Sequence, residues 1–147
     1  MRTIAVVNNK GGVGKTSTVR NLAGLNAQKG RQTVAIDLDQ QANLSSALGV
    51  PPSNAAYDVL TGAASFQASL KPCPNVDGLY VLAGGPALEY LARKWDSRED
   101  GSDAYHMAMF ERLRDGIDQL TDWVASQGLE LDMVIIDNGP SFSGLFE

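Results

Sequence analysis

The sequence has few residues of the kinds that crosslink a chain or bind a metal ion by themselves. Cys73 is the single cysteine and His106 the single histidine among 147 residues. One cysteine cannot form an internal disulfide, and no cysteine cluster is available to hold a metal ion. These absences exclude a disulfide-stabilised scaffold and a cysteine-based metal centre, and they suit a reducing compartment.

Long apolar runs and an excess of basic residues are also missing. No run of about 18 or more apolar residues occurs, and the amino terminus lacks the regions that make up a signal sequence. Lys and Arg number 12 against 17 Asp and Glu, which gives a net charge of −5. We therefore expect a soluble cytoplasmic protein with no membrane role and no domain-wide electrostatic attraction to nucleic acid.

The first part of the chain shows the pattern of a strand, a helix and a second strand. Hydrophobic residues make up 44% of the chain, so we expect one globular domain over residues 1–147. A β-branched apolar run at 3–8 (TIAVVN) and another at 32–37 (QTVAID) predict strands buried on both faces. Between them, a near-helical apolar spacing predicts a helix over 16–29, carried by Val19, Leu22, Ala23 and Leu25. This βαβ order favours an α/β fold with a parallel sheet.

The remainder of the chain is predicted to continue the same architecture. Short helices and loops are expected over 49–75, a third strand at 79–83 and a short helix near 87–95. Residues 96–104 are polar and predict a surface loop, and Trp123 is expected to be a packing residue. A long core-facing helix is predicted by an apolar stripe at Phe110, Leu113, Ile117, Leu120 and Val124. A fourth strand is predicted at 131–137.

The glycine-rich segment 10–16 (KGGVGKT) lies between the first predicted strand and the first predicted helix. Such a loop offers unpaired backbone N–H groups and the positive end of a helix dipole, and both attract anions. Glycines leave room for phosphate to approach the backbone. In this setting Lys15 is expected to contact the β- and γ-phosphates of a nucleotide, and the Thr16 hydroxyl to bind Mg²⁺. A flexible glycine-rich turn with incidental lysines is the alternative.

Three segments resemble the motifs of one known family. Residues 8–18 (NNKGGVGKTST) look like the deviant Walker A motif of the ParA/MinD group of P-loop ATPases. Residues 36–50 resemble the family's D-x-D-P-Q-G-N segment, with Gln40 in place of proline and Ala42 in place of glycine. Residues 133–144 resemble its Walker B segment, with Asn138 and Gly139 as departures. The sequences of these motifs are most similar to those of the ParA-type partition proteins.

The resemblance and the strand positions together assign roles to single residues. Asp37, Asp39 and Asp137 follow or end predicted parallel strands, where open α/β sheets gather ligand-binding residues. Asp137 is expected to hold Mg²⁺ or its water. By resemblance, Asp37 supports the metal through water, Asp39 orients the attacking water, and Lys10 reaches the nucleotide of a second subunit. The expected nucleotide-binding residues are Gly11, Gly12, Val13, Gly14, Lys15, Thr16 and Ser17. Turn capping is the alternative for each carboxylate.

The resemblance implies a P-loop NTPase fold with three layers and a mostly parallel sheet that lacks the family's carboxy-terminal strands. It implies an ATPase that binds Mg-ATP, forms a homodimer across the nucleotide and acts in plasmid or chromosome partition. The implied partners are a ParB-like centromere-binding protein and non-specific DNA, contacted through regions outside this chain, with nucleoid association. Hydrolysis is expected to be slow because no glutamate follows Asp137 to act as a strong general base.

Two alternative functions and one structural expectation accompany this interpretation. The chain stops soon after the Walker B segment, which is compatible with a non-hydrolysing nucleotide-binding or interaction module. A MinD-like regulator of division-site placement is the other alternative. If the strand order is that of the family, the first strand lies at an open sheet edge, so the chain is either incomplete or closes that edge with another copy or a partner.

Overall fold

The computed structural model describes residues 1–6, 14–97 and 102–139. Five strands form one sheet in the order β1-β5-β2-β4-β3, and every neighbouring pair is parallel except β3 and β4. The strands are β1 (Arg2–Val6), β2 (Gln32–Leu38), β3 (Lys71–Pro72), β4 (Leu79–Leu82) and β5 (Leu131–Asn138). The predicted α/β fold with a mostly parallel sheet is confirmed.

Helices cover both faces of this sheet. They are α1 (Lys15–Gln28), α2 (Asn43–Ala47), α3 (Ala55–Thr61), α4 (Phe66–Ser69), α5 (Leu88–Ser97) and α6 (Ser102–Ser126). One apolar cluster joins α1 and α2 to the sheet, and a second joins α3, α4, α5 and α6 to it. The expected three-layer arrangement is therefore present. No described helix is both long and apolar enough to cross a membrane.

The central strands separate the two apolar clusters by simple alternation. On β2, Val34, Ile36 and Leu38 belong to the cluster of α3 to α6, whereas Ala35 belongs to the cluster of α1 and α2. Successive side chains of a strand point to opposite faces, so a strand covered on both faces must be apolar throughout. This requirement explains why β2 and β5 were recognisable as continuous apolar runs.

Three of the four predicted strands are confirmed within one residue at each end, as β2, β4 and β5. The first strand exists as β1, but the prediction that it is buried on both faces is wrong for its described residues. Arg2 and Thr3 are exposed, and Ile4 to Val6 are only partly buried. The reason is position, since β1 pairs with β5 alone among the described strands and so lies at the sheet edge. Residues 7 and 8 of the prediction lie outside the described residues.

Helix α1 is confirmed, although its apolar stripe was assigned incorrectly. Leu22 and Leu25 are 39% and 58% exposed. The buried positions are instead Val19, Ala23, Asn26 and Ala27, which keep the helical spacing of three and four residues. Small alanines let α1 pack close to the sheet, and the larger leucines lie on its outer side.

The long helix is confirmed and begins earlier than its apolar stripe indicated. Met109 is fully buried one turn before Leu113 and extends the stripe. The predicted surface loop at 96–104 is wrong at both ends, because α5 continues to Ser97 and α6 begins at Ser102. An amphipathic helix has polar residues on its exposed side, so polarity alone did not distinguish its first turn from a loop. Residues 98–101 lie outside the described part.

The middle of the chain contains the expected short helices, α3 and α4, together with an element that the sequence did not predict. This element is β3, which pairs antiparallel with β4 through Lys71 and Pro72. Two residues are too few to show any periodicity. Trp123, which was expected to be a packing residue, is 45% exposed.

We expect Gly84→Ala to destabilise the fold because backbone atoms fill the space beside this residue. A Cβ at Gly84 would lie 2.6 Å from the Asp39 carbonyl oxygen and 2.8 Å from that of Asp37. The expected loss is about 1–3 kcal/mol in the free energy of unfolding, measured by urea denaturation. Gly24→Ala is the matched control, because nothing lies within 4 Å of its Cβ and a helical alanine is favoured by about 0.5–1 kcal/mol. A Gly84→Ala variant as stable as the wild type would contradict this account.

Candidate functional site

Parallel pairing places two carboxylates on neighbouring strands at the same end of the sheet. Asp137 on β5 is in register with Asp37 on β2 on one side and with Val6 on β1 on the other. Both aspartates are fully buried. The start of α1 and the loop after β2 meet this same edge, which is where open parallel sheets bind ligands.

The first two residues of α1 are attached to Asp137. The Nζ of Lys15 lies 2.8 Å from Oδ1 of Asp137 in an ion pair that is almost fully buried. Lys15 also donates a hydrogen bond to the backbone carbonyl of Asn138. The hydroxyl of Thr16 donates to Oδ2 of Asp137 over 2.9 Å. One carboxylate therefore contacts both side chains that the phosphate-loop motif singled out.

The conformation of the amino terminus of α1 favours an anion. Gly14 has a left-handed conformation with φ of 76°, which glycine adopts without strain, and it turns the chain into the helix. Its carbonyl accepts the backbone N–H of Thr18 over 2.9 Å. The N–H groups before Thr18 have no partner within the helix, and the first turn contains no acidic side chain. This terminus thus presents N–H donors and the positive end of the dipole.

Asp37 is held by the loop and helix that come after its strand. Its Oδ2 accepts the backbone N–H and the hydroxyl of Ser45 over 2.9 and 2.6 Å, and its Oδ1 accepts the N–H of Asp39 over 3.1 Å. The Ser45 Oγ in turn accepts the backbone N–H of Gly84 over 3.1 Å. Asp37 and Ser45 therefore connect the carboxyl ends of β2 and β4.

Burial raises the pKa of Asp37 to about 6 from 3.8. The hydrogen bonds from Ser45 and Asp39 act in the opposite direction, and the nearby charge of Asp137 adds a small increase. An ionised carboxylate in this position loses hydration, and its three donors compensate only part of that loss.

Asp39 lies in the loop beyond β2 and is packed against the end of β5. A Cβ on Gly139 would come within 3.3 Å of the Asp39 Cγ, so the departure from the family pattern at Gly139 leaves space for this carboxylate. The Oδ1 of Asp39 accepts the N–H of Gln41 over 3.0 Å. Ala42 follows with φ of 54°, a left-handed conformation. The family's glycine at that position would adopt it without strain.

The structure brings together Lys15, Thr16 and Asp137, with Asp37 beside them. Gly14 begins the helix, and Ser17 is exposed in its first turn. Lys10, Gly11, Gly12 and Val13 lie outside the described residues. Sequence reasoning missed Ser45 and Gly84. Only contacts reveal their role, since a serine eight positions after an aspartate matches no recognised motif.

The donor atoms fit Mg²⁺. A threonine hydroxyl and carboxylate oxygens are hard ligands, and Mg²⁺ is usually held by one or two protein groups with phosphate oxygens and waters completing its shell. Within the described residues, no group of three or more acidic, histidine or cysteine side chains is arranged to hold a metal ion unaided. Thr16 and Asp137 supply ligands of the kind that Mg²⁺ takes together with phosphate oxygens.

Comparison with known proteins identifies the family of the chain. A family model described as an AAA domain matches residues 1–147. The chromosome partitioning protein ParA of Myxococcus xanthus is 34% identical over 146 residues, which cover 95% of this chain and 45% of that protein. The chain belongs to this family of P-loop ATPases and is of the ParA type.

Two further comparisons are with a second partition protein and with a solved structure. The chromosome-partitioning ATPase Soj of Thermus thermophilus is 41% identical over 88 residues, covering 60% of this chain and 34% of Soj. The crystal structure of cobyrinic acid a,c-diamide synthase from Mycobacterium smegmatis, with a bound ATP analogue and magnesium, superposes with a TM-score of 0.72 at 28% identity. The superposition covers 99% of this chain and 54% of the synthase chain. The chain thus spans about a third to a half of the lengths of these relatives.

We expect Ser45→Ala to destabilise the fold more at pH 7.5 than at pH 5. Asp37 has a folded pKa of about 6 against 3.8 unfolded, so between these values the folded state retains a proton that the unfolded state has lost. The free energy of unfolding therefore falls as pH rises from 3.8 to about 6, by at most about 1.4 kcal/mol per pH unit. Above this range, the folded state bears the full cost of burying the ionised Asp37 carboxylate. Ser45→Ala removes a donor to that carboxylate, so we expect a loss of about 1–3 kcal/mol at pH 7.5.

The measurement is urea denaturation at both pH values. Ser46→Ala is the matched control, because Ser46 is exposed on the same short helix. An equal loss at pH 5 and pH 7.5 would show that Ser45 stabilises the loop without acting on the charge of Asp37.

Proposed function

We propose that this chain binds ATP with Mg²⁺ at the carboxyl edge of the sheet and is part of a slowly hydrolysing ParA-type ATPase of plasmid or chromosome partition. The observation that carries the proposal is the contact of Lys15 and Thr16 with Asp137 at the amino terminus of α1. The site offers one cation, one hydroxyl and the N–H groups of the first helical turn to a polyphosphate, together with a carboxylate for the metal.

Phosphate binding at this site is favoured by electrostatics. Free N–H groups and the helix dipole favour an anion at the start of α1. The amine of Lys15 is close enough to contact that anion, and its attachment to Asp137 and to the Asn138 carbonyl holds it at the site. A nucleotide then competes with Asp137 for the charge of Lys15.

Thr16 and Asp137 are the proposed metal-binding residues, and Asp37 is proposed to act on the metal through water. Mg²⁺ would supply charge neutralisation for the phosphates. Asp37 suits an indirect role because both of its oxygens already accept hydrogen bonds from the chain. Its three donors keep the carboxylate fixed beside Asp137.

Slow hydrolysis is proposed from the two residues after Asp137. They are Asn138 and Gly139, and neither side chain can act as a strong general base. Phosphoryl transfer depends mainly on positioning and charge stabilisation. Asp39, placed against Gly139, is the proposed group that orients the attacking water. Lys10 is proposed to complete the site of a second subunit.

The biological setting is proposed from the relatives. Myxococcus ParA and Thermus Soj are described as chromosome-partitioning proteins. By this likeness we propose nucleotide-dependent homodimerisation, a ParB-like centromere-binding partner, non-specific DNA binding through regions outside this chain, and nucleoid association. The structural relative from Mycobacterium is a synthase, so the fold alone does not specify partition.

We expect Lys15→Ala to weaken the binding of a fluorescent ATP analogue in the presence of Mg²⁺ by about 10- to 100-fold, the value of one or two charged hydrogen bonds. Equilibrium fluorescence anisotropy measures the affinity, with and without Mg²⁺. Lys29→Ala is the matched control, since Lys29 is exposed at the other end of α1 and should bind as the wild type does.

Removing Lys15 also leaves a buried carboxylate without its cation, which can destabilise the fold by itself. Circular dichroism therefore accompanies each measurement. Thr16→Ala provides a second variant, which retains the ion pair and should lose mainly the Mg²⁺-dependent part of the affinity. Wild-type affinity no better than that of folded Lys15→Ala would refute nucleotide binding at this site.

We expect Lys10→Ala to retain ATP-analogue binding within about fivefold, because a loss of less than about 1 kcal/mol is expected for a residue that serves the other subunit. The same variant should lose nucleotide-dependent dimerisation and phosphate release. Light scattering coupled to size exclusion measures dimerisation, and a coupled phosphate assay measures hydrolysis. A Lys10→Ala protein that dimerises and turns over ATP normally would show that Lys10 is a local phosphate contact.

A further inference from the structure

A cavity lies at the opposite end of the sheet from the proposed phosphate site. Its volume is about 260 Å³, and it is enclosed by the amino ends of β2 and β5, the β3–β4 pair, α4 and the end of α6. We call it the Trp123 cavity. Leu131 lies in its wall, and Asp137 is six residues farther along β5, roughly 20 Å away at about 3.3 Å per residue.

The walls of the Trp123 cavity are apolar and carry no formal charge. None of its lining residues is an acid, lysine, arginine or histidine. The buried part of the wall consists of core side chains, while Trp123, Leu129 and Tyr80 are exposed by 45%, 54% and 38%. Three of the eight exposed large hydrophobic side chains of the described residues thus surround one opening. An ionic ligand would lose hydration here without gaining a counter-charge.

The polar side-chain groups of the lining are the Tyr80 hydroxyl, the Trp123 indole N–H and three carboxamides. Gln32 lies on β2, Gln67 on α4, and Gln127, whose Nε2 donates to the Ser126 Oγ over 3.3 Å, directly after α6. A carboxamide has both N–H donors and a carbonyl acceptor. Such a set pairs with a neutral group that itself donates and accepts, such as an amide. The face of Trp123 adds an aromatic surface for offset stacking.

The volume of the cavity and the shortness of the neighbouring edge strand β3 narrow the class of ligand further. A dry cavity of about 150 Å³ holds benzene, and drug-sized ligands occupy about 300–1,000 Å³, so the Trp123 cavity fits one or two rings. An added peptide strand is disfavoured at the neighbouring edge, because β3 has two residues and Pro72 has no N–H to offer. Because none of the lining residues is a cation, the cavity does not suit the phosphate groups of a nucleotide as ligands.

We propose that the Trp123 cavity is a binding site for a small uncharged aromatic molecule that carries an amide-type hydrogen-bonding group. The ring lies against Trp123 between the apolar walls, and the amide pairs with the glutamine carboxamides. The site acts independently of the phosphate site because the two lie at opposite ends of β2 and β5.

Ligand-observed NMR titration with three matched probes tests this proposal. Benzamide is neutral, benzoate is an anion and benzylamine is a cation at neutral pH. Benzamide should bind saturably and at least about tenfold more tightly than benzoate or benzylamine, because the cavity lining has no counter-charge for either ion. A tenfold difference in affinity corresponds to about 1.4 kcal/mol of binding free energy. Saturating Mg-ATP should not displace benzamide.

Two surface variants relate binding to the named residues. Trp123→Ala should weaken benzamide binding by about tenfold or more, and because this side chain is exposed, its removal should leave the fold intact. Gln127→Glu has nearly the same shape and should shift the preference from benzamide towards benzylamine. Met107→Ala is the matched control, because Met107 is exposed on α6 and does not line the cavity.

Several outcomes would overturn the proposal. They are equal binding of the three probes, benzamide affinity unchanged by Trp123→Ala, a probe preference unchanged by Gln127→Glu, and displacement of benzamide by Mg-ATP. The first three would show that the cavity chemistry does not select the ligand. The last would place the probe in the phosphate site.

Discussion

The buried ion pair between Lys15 and Asp137 determines how the parts of the site are placed. It attaches the first turn of α1 to the end of β5, while β5 lies between β1 and β2. The Thr16 hydroxyl contacts the other oxygen of the same carboxylate. Because charges away from water are stable only when they are paired, neither partner can move alone without a large cost. These contacts hold the first turn of α1 against the end of β5.

Around this pair, the site is shaped by backbone contacts as much as by side chains. The carbonyl oxygens of Asp37 and Asp39 fill the space that a Cβ on Gly84 would need, and Gly139 leaves room for the Asp39 carboxylate. Ser45 then joins Asp37 to the Gly84 N–H. The end of β2, with Asp37, and the following loop, with Asp39, are therefore held from β4 on one side and β5 on the other. Their position depends on residues that have no chemical function of their own.

The sequence predicted those features that depend on local pattern and on the motif. Central strands covered on both faces show continuous apolar runs, so β2 and β5 were located closely. Lys15, Thr16 and Asp137 were recognised by type and spacing, and the structure brings them together. The features that were missed depend on tertiary position, which no local pattern encodes. The exposure of β1 results from its place at the edge, the two-residue β3 from its pairing with β4, and the role of Ser45 from contacts across the loop.

The edge position of β1 has a consequence for the behaviour of the chain in solution. Its free side carries backbone donors and acceptors that no described strand uses, and its last three residues are apolar. Natural sheets protect such edges with charges, bulges or prolines, and Arg2 is the single charge within this strand. Among the described strands, β1 thus presents the longer free edge of the sheet, and its unused backbone groups favour pairing with a further strand, from another copy or from a partner.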